Sequence, residues 1–141
     1  MVGPSLVFPT SRCWARCDDR SVTTSVLLVD DNPVFLSLAR RILDAPGLDI
    51  VGAVGDAALA VAAAHSLKPD AALVDIGLPD RDGVDLAHEL AALPWRPRVV
   101  LTSSDRDAAA RIDFDGADGG LSFIPKEDLP SAPLQRLLGP V

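Results

Sequence analysis

The chain has 141 residues, 48% of them apolar, enough for one well-buried domain and too few for two. A net charge of -7 excludes the basic surface that nucleic-acid binding needs and suits cations or basic partner patches. No apolar run approaches the roughly 18 residues of a membrane helix, and the two cysteines, Cys13 and Cys17, make no disulfide framework, which fits a reducing, cytoplasmic setting.

Residues 1 to 24 show no sustained period and read as a disordered leader or residues upstream of the true start. Pro4 and Pro9 interrupt the mildly apolar Met1–Phe8, and no basic residue precedes it, so it is not a signal peptide. Cys13 and Cys17 are spaced to share a helix face, but no further Cys and no nearby His completes a metal site.

Order is expected from Val26-Leu27-Leu28-Val29, a buried strand that runs into Asp30-Asp31-Asn32-Pro33. Asn32 suits an N-cap and Pro33 the first helical position; Val34, Leu38 and Ile42, with Phe35 and Leu36 alongside, form the expected apolar face. Arg40 and Arg41 mark the last turns, and Pro46-Gly47 stops the helix. A second strand over Asp49–Val54, weakened by Gly52, leads to Asp56 as cap of an alanine-rich helix over Ala57–Ser66. Then comes Ala71-Ala72-Leu73-Val74-Asp75, an apolar run climbing to one carboxylate and breaking into the turn Gly77-Leu78-Pro79-Asp80-Arg81-Asp82-Gly83. Such a run reads as a strand buried on both faces. A third helix is expected over Val84–Leu93, a strand over Val99–Leu101 ending in Thr102-Ser103-Ser104, and a fourth helix over Asp105–Phe114. The Gly-rich Asp115–Gly120 precedes a last strand, Leu121–Ile124, ending at Pro125-Lys126; Pro133–Leu138 can form a short helix with Leu134, Leu137 and Leu138 on one face.

Five strands alternating with five helices predict an α/β fold, a parallel sheet with helices on both faces and right-handed crossovers. Parallel strands deliver their carboxyl ends to one rim, which brings Asp30, Asp31, Asp75, Thr102 and Lys126 together. Three converging carboxylates repel unless a divalent cation compensates, and an all-oxygen set suits a hard ion such as Mg2+, with Mn2+ also possible. A hydroxyl and an ammonium beside them are the partners a phosphoryl group wants. The residue types therefore point to phosphate chemistry at a metal-assisted carboxylate. Plainer readings exist for each: Asp30 or Asp31 as a helix cap, Thr102 as a strand end, Lys126 as a solvated lysine, Phe123 as core. His65 and His88 have no second ligand at useful spacing and read as surface or boundary residues; Asp80 and Asp82 read as shaping the turn.

Val29-Asp30-Asp31, Asp75 with Leu78-Pro79-Asp80-Arg81-Asp82-Gly83, Thr102-Ser103, and Phe123-Ile124-Pro125-Lys126 together resemble the receiver domain of two-component response regulators. The resemblance covers about Ser25 to Leu138, giving a 25–138 domain and a 139–141 tail. It implies the flavodoxin-like (βα)5 doubly wound sheet in the order 2-1-3-4-5, an order for which a chemotaxis receiver is the general example. It further implies Asp75 as phosphoacceptor, taking the phosphoryl group from a sensor histidine kinase or a phosphotransfer protein. Mg2+ would be held by Asp31 directly, Asp30 mainly through water, Asp75 and the Gly77 carbonyl. Thr102 and Lys126 would bind phosphoryl oxygens, Ser103 would leave room, and Phe123 would change rotamer with Thr102. Such a protein is no enzyme beyond catalysing its own phosphorylation and dephosphorylation.

Some features depart from the family pattern. Glu127 follows Lys126 where many receivers have proline, and the wording Phe-Ile-Pro-Lys-Glu-Asp-Leu is similar to receivers that precede LuxR-type output domains. Only 15 residues follow Lys126, so the last helix is shortened and no output domain or direct DNA binding is expected. The shortening should leave strand five and helix one poorly covered, inviting a weak dimer or a downstream protein target. The leading expectation is a single-domain response regulator, monomeric or weakly dimeric, with no membrane contact. The alternatives are a phosphorylation-independent binding module and a small Mg-dependent phosphatase, the latter opposed by Gly77 where such hydrolases carry a second acid.

Overall fold

The computed structural model describes residues 23–112 and 121–138. Cys13, Cys17, the 115–120 stretch and the 139–141 tail lie outside the described residues. Strand β1 (Thr24–Val29) is followed by α1 (Pro33–Ile42), β2 (Leu48–Val54), α2 (Ala57–Leu67), β3 (Ala71–Asp75), α3 (Gly83–Ala91), β4 (Arg98–Ser103) and β5 (Leu121–Pro125), with α4 (Leu134–Leu138) last. The sheet is five-stranded and parallel, in the order β2-β1-β3-β4-β5. Thr24, assigned above to the leader, opens β1, its N–H donating to Gly47 O at 2.8 Å.

Strand alternation divides the core in two. Leu27, Val29, Ala72, Val74, Val99 and Leu101 face α2 and α3, meeting Ala57, Ala60, Ala64, Leu86 and Leu90. Val26, Leu28, Ala71, Leu73 and Val100 face α1 and the C-terminal segment. Every residue of β3 is buried, as a central parallel strand requires. Alanine at the inward positions of α2 lets that helix approach β1 and β2 closely. Gly52 lies just past a register shift, where Ile50 pairs with Val26 but Gly52 with Leu27. There a Cβ would meet the Leu67 and Leu27 side chains at 3.1 and 3.2 Å. The glycine that weakened the strand in the sequence thus accommodates a bulge.

Three expectations change. First, α1 buries the expected Phe35 together with Ala39, and Leu43 is buried just past its end, while Val34 is 76% and Leu38 44% exposed. The helix carries apolar residues on two adjacent stripes, and the sheet takes the stripe whose centre is the small Ala39. Second, the segment after β4 is a 3-10 helix over Arg106–Arg111, in place of the described part of an α-helix from Asp105. The Asp105 carboxylate accepts from Asp107 N at 2.9 Å and its carbonyl from Ala108 N at 3.1 Å, fixing the tighter turn. Third, strand five is not left bare. A 3-10 segment over Lys126–Ser131, which periodicity did not reveal, inserts fully buried Leu129 beside Leu134 and Leu138, the latter 1% exposed. Three leucines from two short turns do the covering expected of one long helix.

Candidate functional site

The rim formed by the carboxyl ends of β1, β3, β4 and β5 gathers Asp30, Asp31, Asp75, Thr102 and Lys126. One carboxylate oxygen from each of Asp30, Asp31 and Asp75 lies within 4.8 Å of the others. Asp30 is 2% and Asp75 8% exposed, whereas Asp31 is open to solvent. The Lys126 ammonium reaches both buried acids, at 2.7 Å from Asp30 Oδ2 and 3.7 Å from Asp75 Oδ1.

Local structure explains how each group is held. Asp30 Oδ1 accepts from Asn32 N at 2.8 Å, and the Asn32 side chain in turn caps α1, accepting from Val34 N and Phe35 N. Asp30 Oδ2 has no aligned hydrogen-bond donor among the described residues; its compensation is the charge of Lys126. Such a buried oxygen, within a set of hard carboxylate donors, fits a divalent cation of the Mg2+ type. Burial first, then the neighbouring Asp30 charge, pushes the Asp75 carboxyl above the ordinary carboxylate range. Lys126 and the Gly77 backbone N–H, which hydrogen-bonds the Asp75 carboxylate, pull it down.

Asp75 pairs with Thr102 across β3 and β4. Thr102 is fully buried, its hydroxyl pointing at Val74 O from 3.5 Å, the outer limit of a hydrogen bond. Ser103 Oγ accepts from Asp105 N at 3.0 Å and shapes the next turn. Phe123 is half-buried, pairs with Leu101 and packs on the core shared with α2 and α3. His65 is exposed, edge-on to Trp95 with centroids 6.4 Å apart, and His88 is half-buried; neither joins the site.

The turn after Asp75 is pinned at several points. Asp82 caps α3, accepting from Val84 N at 2.9 Å. Asp80 reaches across to α2, accepting from Ala57 N at 2.9 Å and Ala58 N at 3.1 Å, while Asp56 takes Leu59 N. These amides, Ala57 foremost, hold the Asp80 carboxyl below its usual range. Gly83 N donates to Ile76 O at 2.9 Å, and a Cβ there would lie 2.2 Å from Asp75 O. Gly83 is thus required by close approach of α3 to the backbone of Asp75. Sequence reading missed this role, and it placed Phe35 on the apolar face of α1 without its second contact, the Lys126 ammonium 4.3 Å from the ring centroid. Glycine at the start of a helix, where it is a poor former, was the one available signal; nothing in the sequence marked Phe35 as a neighbour of Lys126.

Comparison with known proteins agrees with this architecture. A family model for the response regulator receiver domain matches residues 26–130. The chain is 38% identical over 100 residues to the transcriptional regulatory protein PdtaR of Mycobacterium tuberculosis, covering 70% of this chain and 49% of PdtaR. It is 35% identical over 115 residues to a protein-glutamate methylesterase/protein-glutamine glutaminase of Geobacter sulfurreducens, covering 79% of this chain and 31% of that one. The chain therefore spans about half of PdtaR's length and a third of the methylesterase's. Among solved structures, the receiver domain of NarL from Mycobacterium tuberculosis superposes with a TM-score of 0.68 at 26% identity, covering 84% of this chain and 99% of that one. With the parallel sheet, the rim of acids and the family match in agreement, the chain belongs to the response regulator receiver domain family.

Proposed function

We propose that this receiver accepts a phosphoryl group on Asp75 in a Mg2+-dependent reaction and signals to a partner protein by a change of conformation. The observation that carries the reading is the placement of Lys126 between Asp30 and Asp75, beside three carboxylates whose oxygens lie within 4.8 Å. Asp30, Asp31 and Asp75 would hold the cation, with the Gly77 carbonyl as a further ligand. When bound, the cation supplies charge neutralisation of the acid cluster and of the incoming phosphoryl oxygens. The donor is a phosphohistidine of a sensor kinase or phosphotransfer protein. An Asp75 carboxylate oxygen attacks phosphorus; the P–N bond breaks as the O–P bond forms, and the imidazole keeps the electron pair. Lys126 then exchanges a carboxylate partner for a phosphoryl oxygen.

Thr102 supplies the switch. Its hydroxyl spends a marginal 3.5 Å contact on Val74 O, so a phosphoryl oxygen on the residue paired with it is the stronger acceptor. Movement of Thr102 frees space for Phe123, and the surface around β5 changes in turn. This output is a protein contact, with no direct DNA reading by the receiver, in a cytoplasmic protein that is monomeric or weakly dimeric. No described helix is long and apolar enough to cross a membrane.

The test is intact-mass measurement after treatment with acetyl phosphate and MgCl2. One added phosphoryl group, absent without Mg2+ and absent in Asp75→Ala, is expected. An unmodified wild-type protein, or modification that survives Asp75→Ala, would overturn the proposal.

A further inference from the structure

From the geometry around Lys126 we infer that Phe35 is a positioning residue of the phosphorylation site, a π-face seat that holds the Lys126 ammonium where the phosphoryl group on Asp75 forms. The inference rests on the role proposed above for Lys126. Phe35 belongs to α1 and is 9% exposed; its ring centroid is 4.3 Å from Lys126 Nζ, whose side chain is 17% exposed. A cation this close to an aromatic face and largely out of water is attracted by the ring quadrupole.

The contacts close into a circuit. Asp30 Oδ1 accepts from Asn32 N, Asn32 Oδ1 accepts from Phe35 N at 3.3 Å, the Phe35 ring faces Lys126, and Lys126 returns to Asp30 Oδ2 at 2.7 Å. The helix cap that orients the first acid therefore also sets the ring. What the ring contributes is constancy. Both carboxylates near Lys126 change character during the reaction: Asp75 becomes an acyl phosphate, and Asp30 belongs to the cation site. The ring is neutral throughout, so its pull on Nζ is the same before and after transfer. It keeps the ammonium from following either acid alone.

A plain packing role is the competing explanation, since Phe35 also belongs to the core beneath α1. Site-specific replacement of Phe35 by mono-, di- and trifluorophenylalanine separates the two, because fluorine weakens the quadrupole while nearly preserving volume and apolarity. The rate constant for modification by acetyl phosphate should fall stepwise, reaching a roughly three- to tenfold loss at three fluorines. Melting temperatures should stay unchanged across the series. In the metal-free protein, the Lys126 Hε protons should carry an upfield ring-current shift that Phe35→Leu removes. Equal rates across the fluorinated series, or no such shift, would overturn the inference. Lys126→Ala keeps the two failures apart: if it phosphorylates like wild type, the role of Lys126 fails; if it is impaired while the series is flat, only the seat fails.

Discussion

Replacing Gly83 by alanine tests how closely the third helix must approach the acceptor. An added Cβ would lie 2.2 Å from Asp75 O, 2.6 Å from Ile76 Cα and 2.9 Å from Asp75 C, against ordinary carbon contacts of about 3.5–4.0 Å. All three are backbone atoms, and β3 cannot yield: Asp75 pairs with Thr102, and Ile76 N donates to Thr102 O at 3.0 Å. The start of α3 must therefore move away by more than an ångström. That breaks the bond from Gly83 N to Ile76 O, a loss of about 0.5–1.5 kcal/mol. It also disturbs the Asp82 cap, typically about 1 kcal/mol, on top of overpacking at about 1–3 kcal/mol. Less the roughly 1 kcal/mol that alanine gains over glycine in helix propensity, a net destabilisation of about 2–4 kcal/mol is expected, a large share of a typical domain's stability. Gly83 is not among the residues at positive φ, so helix propensity alone would make alanine stabilising by roughly 1 kcal/mol. Urea unfolding followed by circular dichroism decides the sign, and intact mass after acetyl phosphate reports the acceptor in whatever remains folded. A Gly83→Ala protein as stable as wild type, phosphorylated at the same rate, would refute the close-approach argument.

Further outcomes follow from the same geometry. Because the Asp75 carboxyl is raised above its ordinary range, its ionised form opposes folding: this stability is fully present below the unfolded value and is lost as pH rises through the folded one. Asp75→Asn should thus be more stable than wild type in EDTA at neutral pH, with the gap closing in acid. MgCl2 should narrow or reverse that gap by binding wild type; urea midpoints across pH, with a neutral-pH gap of the opposite sign, would contradict this. Asp80 lies the other way, held low by the Ala57 amide, so its contribution is present above the ordinary aspartate range and lost as pH falls through the folded value. Asp80→Ala should lower the melting temperature at neutral pH and speed hydrogen exchange at Ala57 and Ala58, with no difference from wild type in strong acid. Leu129→Ala empties a fully buried site and should cost about 2–5 kcal/mol in chemical denaturation; a loss below about 1 kcal/mol would mean the 3-10 segment is not core.

Much of this protein was legible in its sequence because the signals were local. Apolar runs ended by turn residues located the strands, and Asn32-Pro33 and Asp56 marked helix starts that the structure places there. Parallel connection alone delivered the acids, Thr102 and Lys126 to one rim, since every strand in such a sheet points the same way. The errors also have local causes. Two adjacent apolar stripes on α1 satisfy the helical period equally, so periodicity placed Phe35 inward but could not say that Ala39 joins it while Val34 and Leu38 face out. An alanine-rich stretch after β4 favours an α-helix by propensity, yet the carboxylate and carbonyl of Asp105 hold its opening as 3-10.

Tertiary structure decided the contacts between segments distant along the chain. Gly83 against the backbone of Asp75, Asp80 on the first amides of α2, and Phe35 beneath Lys126 each join residues whose proximity depends on how helices dock on the sheet. Lys126 sits nearer Asp30 than Asp75, where it compensates the more deeply buried oxygen, Asp30 Oδ2, which has no aligned hydrogen-bond donor among the described residues. Residue types and their order determine which chemistry the rim can hold. Distances set by packing determine how that chemistry is poised, because charge interactions and steric contacts both change over the few ångströms that sequence does not specify.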